Sequence, residues 1–135
     1  PHITPGLIDI QINGFAGVNF GSPEITREQI ERVSEILVST GVTHYLPTFI
    51  TDDADRMSAA LRRLAEIARS PRSHFLGFHL EGPYLSSLDG PRGAHPLEFC
   101  KDPDWDEFRR LQDAAQGMIR MMTLAPELPG AIPFI

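Results

Sequence analysis

Gly77-Phe78-His79-Leu80-Glu81-Gly82-Pro83-Tyr84-Leu85-Ser86 is the stretch on which the fold turns: an apolar strand runs into a carboxylate and then a Gly-Pro break. Alternation along a strand places Gly77, His79 and Glu81 on one face and Phe78 and Leu80 on the other. In a parallel sheet the carboxyl ends of the strands are where ligands bind, and Gly82-Pro83 turns the backbone away just after Glu81. Glu81 is therefore expected to point into a site. The competing reading makes it a surface ion-pair partner or a cap for a nearby helix, and makes His79 hydrogen-bonded packing.

Working outward, Leu7 to Asn13 alternates cleanly, with Ile8, Ile10 and Ile12 against Asp9, Gln11 and Asn13, which predicts a first strand. Gly14, Gly17 and Gly21 then punctuate a loop. Thr26 with Gln29 has capping-box spacing and opens a helix whose buried stripe is Ile30, Val33, Ile36 and Leu37, ending at Gly41. Val42 to Phe49 is the second strand, with Pro47 limiting its ladder. Thr51 is placed to cap a second helix with the stripe Met57, Leu61, Leu64 and Ala68. His74 to Glu81 is the third strand. Gly82 to about Lys101 is a loop too long to be a mere connector, and loops of that size in compact domains are usually functional. Asp102-Pro103 reads as the start of a third helix with Trp105, Phe108, Leu111 and Ala115 inward, and Met118 to Leu124 as a fourth strand.

The order is thus βαβαβαβ, which means right-handed crossovers and a parallel sheet. Two architectures fit, a small doubly wound sheet or half of an eight-stranded barrel. A doubly wound sheet buries both faces under helices and wants them apolar, whereas strands one and three each present a polar face. The expected fold class is therefore α/β, a partial (β/α)8 TIM-type barrel of about four strands with their helices. Four strands of a barrel leave two unpaired edges, so residues 1–135 are expected to be part of a larger protein. The start without Met and the end at Phe134-Ile135 read the same way.

The chain has 135 residues with 41% hydrophobic content, the size of one ordinary domain. A net charge of −6 without clustered Lys or Arg argues against a nucleic-acid partner. No apolar run approaches the roughly 20 residues of a membrane helix. The single cysteine, Cys100, excludes an intrachain disulfide and a CxxC site, usage that fits a cytoplasmic location. The five histidines, His2, His44, His74, His79 and His95, contain no HxH or HxxxH pair, so any metal must be assembled from distant segments. No Gly-rich phosphate loop follows any strand.

Five blocks occur in one order: Pro5-Gly6-Leu7-Ile8-Asp9-Ile10-Gln11-Ile12-Asn13-Gly14, Pro47-Thr48-Phe49-Ile50-Thr51, His79-Leu80-Glu81-Gly82-Pro83, Gly93-Ala94-His95-Pro96 and Thr123-Leu124-Ala125-Pro126-Glu127. Together they closely resemble the N-acetylglucosamine-6-phosphate deacetylase family of the amidohydrolase superfamily, over about the first half of that family's barrel and without its flanking β-domain. The resemblance implies metal-dependent hydrolysis of the N-acetyl amide of an amino sugar phosphate, giving glucosamine-6-phosphate and acetate. It implies that Glu81 ligates the metal and that Ala94, through its backbone, and His95 touch the sugar. It places the two remaining metal-ligand histidines and the catalytic aspartate on later strands, so no catalytic residue is expected within this chain. The implied cofactor is one divalent ion, zinc or another divalent transition metal such as iron. The implied partners are a small amino sugar and, for the parent protein, a second copy as a homodimer.

Two departures bear on this. Where many amidohydrolases carry His-x-His for a second metal, this chain has Gln11 and Asn13, whose amides bind transition metals poorly, so a mononuclear site is expected. The spacer Ser86 to Arg92 before Gly-Ala-His is slightly longer than usual, which leaves a different amide or acylated sugar as the alternative substrate. A non-catalytic fragment is the alternative of another class.

Overall fold

The computed structural model describes residues 2–135. A strand β1 (Leu7–Ile12) leads into a short hairpin, β2 (Gly14–Phe15) and β3 (Val18–Asn19). Helix α1 (Arg27–Ser39), strand β4 (Val42–Ile50), helix α2 (Ala54–Ile67) and strand β5 (Phe78–Glu81) follow. After a long loop come α3 (Trp105–Ala114), β6 (Ile119–Thr123) and a closing turn of helix, α4 (Ala131–Phe134).

The main sheet has the order β1-β4-β5-β6 and every pairing in it is parallel. That order settles the architecture. A doubly wound sheet reverses direction at a switch point, whereas here each strand is added on the same side of the last. With right-handed crossovers, a sheet that grows in one direction carries all of its connecting helices on one face. The result is a run of consecutive β/α units of a barrel.

The helix-facing side of the sheet is the core. Tyr45, Phe49, Phe78 and Leu80 point into it and are at most 2% exposed, packed with Ile30, Val33 and Leu37 of α1 and Met57, Leu61 and Leu64 of α2. Phe49 and Phe78 meet edge to face at 5.6 Å, and Phe20 from the segment before α1 stacks on Tyr45 at 5.8 Å. Tyr45 brings a hydroxyl into this layer and needs a partner. It donates to Ser34 Oγ at 2.9 Å, whose own proton goes to the Ser73 carbonyl at 2.8 Å. Burying hydroxyls is tolerable because each proton has a destination.

The capping box of α1 is present in full: Gln29 N–H donates to the Thr26 hydroxyl and the Thr26 N–H donates to the Gln29 side chain. Several other boundaries differ from the sequence reading. The cap of α2 is Asp53 rather than Thr51, and that of α3 is Asp104 rather than Asp102, because each aspartate accepts from two N–H groups of the first turn. The third main strand is shorter than His74 to Glu81. His74 at φ +58° and Gly77 at φ +149° break the extended run, leaving Phe75 as an isolated bridge to Tyr45. The loop after β1 holds the β2–β3 hairpin.

Strand β1 departs most. Between Asp9 and Ile12 it takes three residue steps while β4 takes two from Tyr45 to Pro47, so the strict alternation is broken by an inserted residue. Ile12 is buried at 8% exposure, but Ile8 and Ile10 are each 55% exposed rather than sharing one buried face.

Candidate functional site at the carboxyl ends of the strands

Opposite the helices, the sheet carries a layer of polar groups beneath its carboxyl-terminal rim. Thr48 on β4 is paired with His79 on β5, and both are 1% exposed. Thr48 Oγ1 accepts from the Ile12 N–H at 3.0 Å and reaches the Leu46 carbonyl at 3.1 Å. A carbonyl only accepts, so the Thr48 proton goes there and His79 Nδ1, 3.3 Å away, donates to Thr48. His79 Nε2 then accepts from Thr123 Oγ1 of β6 at 2.8 Å. One imidazole thereby joins all four strands of the sheet. Burial holds its pKa below the ordinary histidine value, against the opposing pull of the Glu81 carboxylate and of a backbone hydrogen bond with Ile10. His79 is hydrogen-bonded packing, the plainer of the two readings.

Glu81 is the last residue of β5, and its side chain is 21% exposed at the rim. Gln11 Nε2 donates to its Oε1 at 3.0 Å and Asn13 Nδ2 to its Oε2 at 3.4 Å. Gln11 and Asn13, the amides from which no second metal was expected, hold this carboxylate from the edge strand and the residue just after it. A carboxylate has about four lone-pair positions, so two donors leave acceptor capacity toward the rim.

His95 arrives from the long loop. Arg92 pins the approach, donating to the His95 carbonyl at 2.8 Å and pairing with Asp89, and Lys101 N–H closes the base of the loop onto the Pro83 carbonyl at 3.1 Å. The ring, 16% exposed, sets Nε2 at 3.9 Å from Glu81 Oε1 and Nδ1 at 3.0 Å from Thr51 Oγ1. Thr51 in turn donates to the Glu81 carbonyl at 3.1 Å. Ala94, beside it, is exposed. Glu81 and His95 thus come together at one end of the sheet although 14 positions separate them in sequence.

Thr51, Thr48 and Thr123 are the residues the sequence reading left without a role here. A signal existed, since the Pro-Thr-Phe-Ile-Thr and Thr-Leu-Ala-Pro-Glu blocks end β4 and β6, where strand ends line the rim. Burial raises the Cys100 thiol above its ordinary range, which disfavours the thiolate form.

Among the described residues no group of three or more His, Cys, Asp and Glu side chains converges to hold a metal ion. What the chain offers is one anchored carboxylate with free lone pairs and one nearby imidazole. That donor chemistry fits a share of a zinc-type site, whose ligands are imidazole nitrogen and carboxylate oxygen with outer partners that orient them.

The fold defines a segment of a (β/α) barrel, and the candidate site at the carboxyl ends of its strands gathers around a carboxylate from the third strand of the main sheet. No family model matches the chain. It is 34% identical over 130 residues to N-acetylglucosamine-6-phosphate deacetylase of Haemophilus influenzae, covering 95% of this chain and 32% of that protein. To N-acetylgalactosamine-6-phosphate deacetylase of Escherichia coli O157:H7 it is 31% identical, covering 98% of this chain and 35% of that one. The solved D267A mutant of N-acetyl-D-glucosamine-6-phosphate deacetylase from Mycobacterium smegmatis, in complex with N-acetyl-D-glucosamine-6-phosphate, superposes with a TM-score of 0.84 at 33% identity. The superposition covers 96% of this chain and 32% of that one. The chain is homologous to the N-acetylglucosamine-6-phosphate deacetylases, and it spans about a third of the length of the curated relatives it matches.

Proposed function

We propose that residues 1–135 form the amino-terminal half of the barrel of a metal-dependent amidohydrolase that removes the acetyl group from N-acetylglucosamine-6-phosphate. The carrying observation is the Glu81 carboxylate at the rim, held by Gln11 and Asn13 on one side and faced by His95 on the other. Homology over 95% of the chain to a deacetylase of that substrate supports the reaction class.

In this reading Glu81 holds one divalent ion, zinc or a similar transition metal, together with imidazoles contributed outside this chain. When bound, such an ion supplies a Lewis acid and an acidified water near neutral pH. The residues of this chain do the positioning. Gln11 and Asn13 fix the carboxylate, Ala94 presents its backbone to the sugar, and His95 contacts a polar group of the sugar from the other side. The catalytic aspartate lies outside residues 1–135. Similarity to a galactosamine-6-phosphate deacetylase supports a second reading with the same chemistry and the epimeric sugar.

The test is Glu81→Gln in the whole protein, read by elemental analysis and by acetate release from both N-acetylhexosamine-6-phosphates. Removing a ligand is expected to cost more than the 10–100-fold typical of an outer partner, in metal affinity and in kcat/KM alike. Full metal content with wild-type turnover would refute the reading. The ratio of kcat/KM for the two sugars decides between them.

A further inference from the structure

The other end of the strands brings two more imidazoles together. His44 lies near the start of β4, whereas Glu81 pairs with Ile50 at that strand's end, so the two sit at opposite ends of the sheet. His74, in the connection before β5, has its ring 6.0 Å from that of His44, centroid to centroid. Both line a cleft of about 430 Å³.

Hydrogen bonds fix which nitrogen each ring offers. His74 Nδ1 lies 2.9 Å from the Thr43 carbonyl, which can only accept, so Nδ1 carries the proton and Nε2 keeps its lone pair. His44 Nδ1 lies 3.2 Å from Thr43 Oγ1, and that hydroxyl gives its own proton to the Leu7 carbonyl at 3.4 Å. His44 therefore donates from Nδ1 as well. An imidazole whose other nitrogen donates to such an acceptor is the arrangement in which histidine ligates a metal.

Two further features favour a cation there. Val38 of the last turn of α1 and Ala68, which caps α2, line the same cleft, so the negative ends of both helix dipoles open on it. Neither helix places a basic residue in its last turn. His74 is held at φ +58°, uncommon for a residue with a side chain, and it makes its ring bond to Thr43 from there. With nitrogen ligands at about 2.0 Å, two imidazole centroids on one tetrahedral ion stand about 5 Å apart, so this pair closes on an ion with about 1 Å of ring movement.

We propose that His44 and His74 bind a divalent transition ion of the zinc or copper class through their Nε2 atoms, at a site separate from the one around Glu81. Water completes the coordination, since among the described residues no group of three or more His, Cys, Asp and Glu side chains converges. Magnesium and calcium, which take oxygen ligands, find no match there. The ion ties β4 to the connection that leads into β5.

The test uses the whole protein as wild type, His44→Gln and His74→Gln, each dialysed to equilibrium against buffered Zn2+ and read by elemental analysis and thermal unfolding. The wild type is expected to hold about one zinc more than either variant, and its Tm to rise further with zinc than theirs. Acetate release from N-acetylglucosamine-6-phosphate is expected to be the same in all three, because neither histidine reaches the rim. Equal zinc content in the wild type and His44→Gln, a loss in only one of the two variants, an equal difference with Mg2+, or a fall in turnover that parallels the zinc loss would overturn the proposal. If His74→Gln does not fold, His44→Gln, which alters an exposed residue, decides alone. Only the difference between proteins is read, so the result stands whether or not Glu81 holds an ion. A wild type inactive on every N-acetylhexosamine-6-phosphate sinks the functional reading, while the zinc difference still judges the histidine pair.

Discussion

The two faces of the sheet are built on opposite principles. Toward the helices, Tyr45, Phe49, Phe78 and Leu80 are held by burial, a non-directional attraction that tolerates any arrangement filling the space. Toward the rim, Thr48, His79, Thr51 and Glu81 are held by hydrogen bonds, each of which specifies a donor, an acceptor and an angle. The first face makes the fold stable. The second places individual atoms, and the candidate site stands on it.

That contrast is open to direct attack. Phe78→Ala, on the helix side, removes a ring that is 0% exposed and touches both Phe49 and Phe75, and it is expected to destabilise the chain by about 3–5 kcal/mol in urea unfolding. His79→Leu, on the rim side, keeps bulk but removes the acceptor of the Thr123 hydroxyl and one of the bonds to Thr48, and it is expected to cost about 0.5–1.5 kcal/mol by the same measurement. A His79→Leu chain as stable as the wild type would show that packing alone holds both faces.

The smallest effect concerns the only two tyrosines, Tyr45 and Tyr84. Burial pushes Tyr45 up to about 12 despite its bond to Ser34, and burial followed by the Glu107 carboxylate raises Tyr84. A folded pKa above the unfolded value of about 10 means that this stabilisation is complete below pH ~10 and is lost as pH rises through the folded value. Phenolate absorbance is expected to be absent from the folded chain at about pH 10.5 and to appear near pH 10 once urea unfolds it. Early ionisation of one tyrosine would show that water reaches the helix-facing layer or the Tyr84 loop.

How far each face could be read from sequence follows the same division. The helix-facing layer was legible, because periodicity reports burial: the stripe of α1 and the order of strands and helices stand as expected, apart from a half-buried Ile36. The position of Glu81 at the end of its strand was legible too, since Gly82-Pro83 marks where the strand must stop. The register of β1 was not, because an inserted residue leaves the pattern of Ile8, Ile10 and Ile12 unchanged while altering which of them is covered. Nor were the helix caps, where neighbouring residues with suitable side chains compete and only geometry selects Asp53 and Asp104. The role of Thr51 lies in a contact with residues 30 and 44 positions away, which no local spacing encodes.

The closing turn α4 has a use of its own. Phe134 lies 4.6 Å from Trp105, centroid to centroid, with Phe108 and Tyr84 on its other sides. Trp105 is the chain's sole indole and is 48% exposed, so its emission is a built-in optical gauge of whether that last turn is seated. Undocking it would redden the spectrum while the four parallel strands stay paired, and an experimenter could follow the two events separately in a single cuvette.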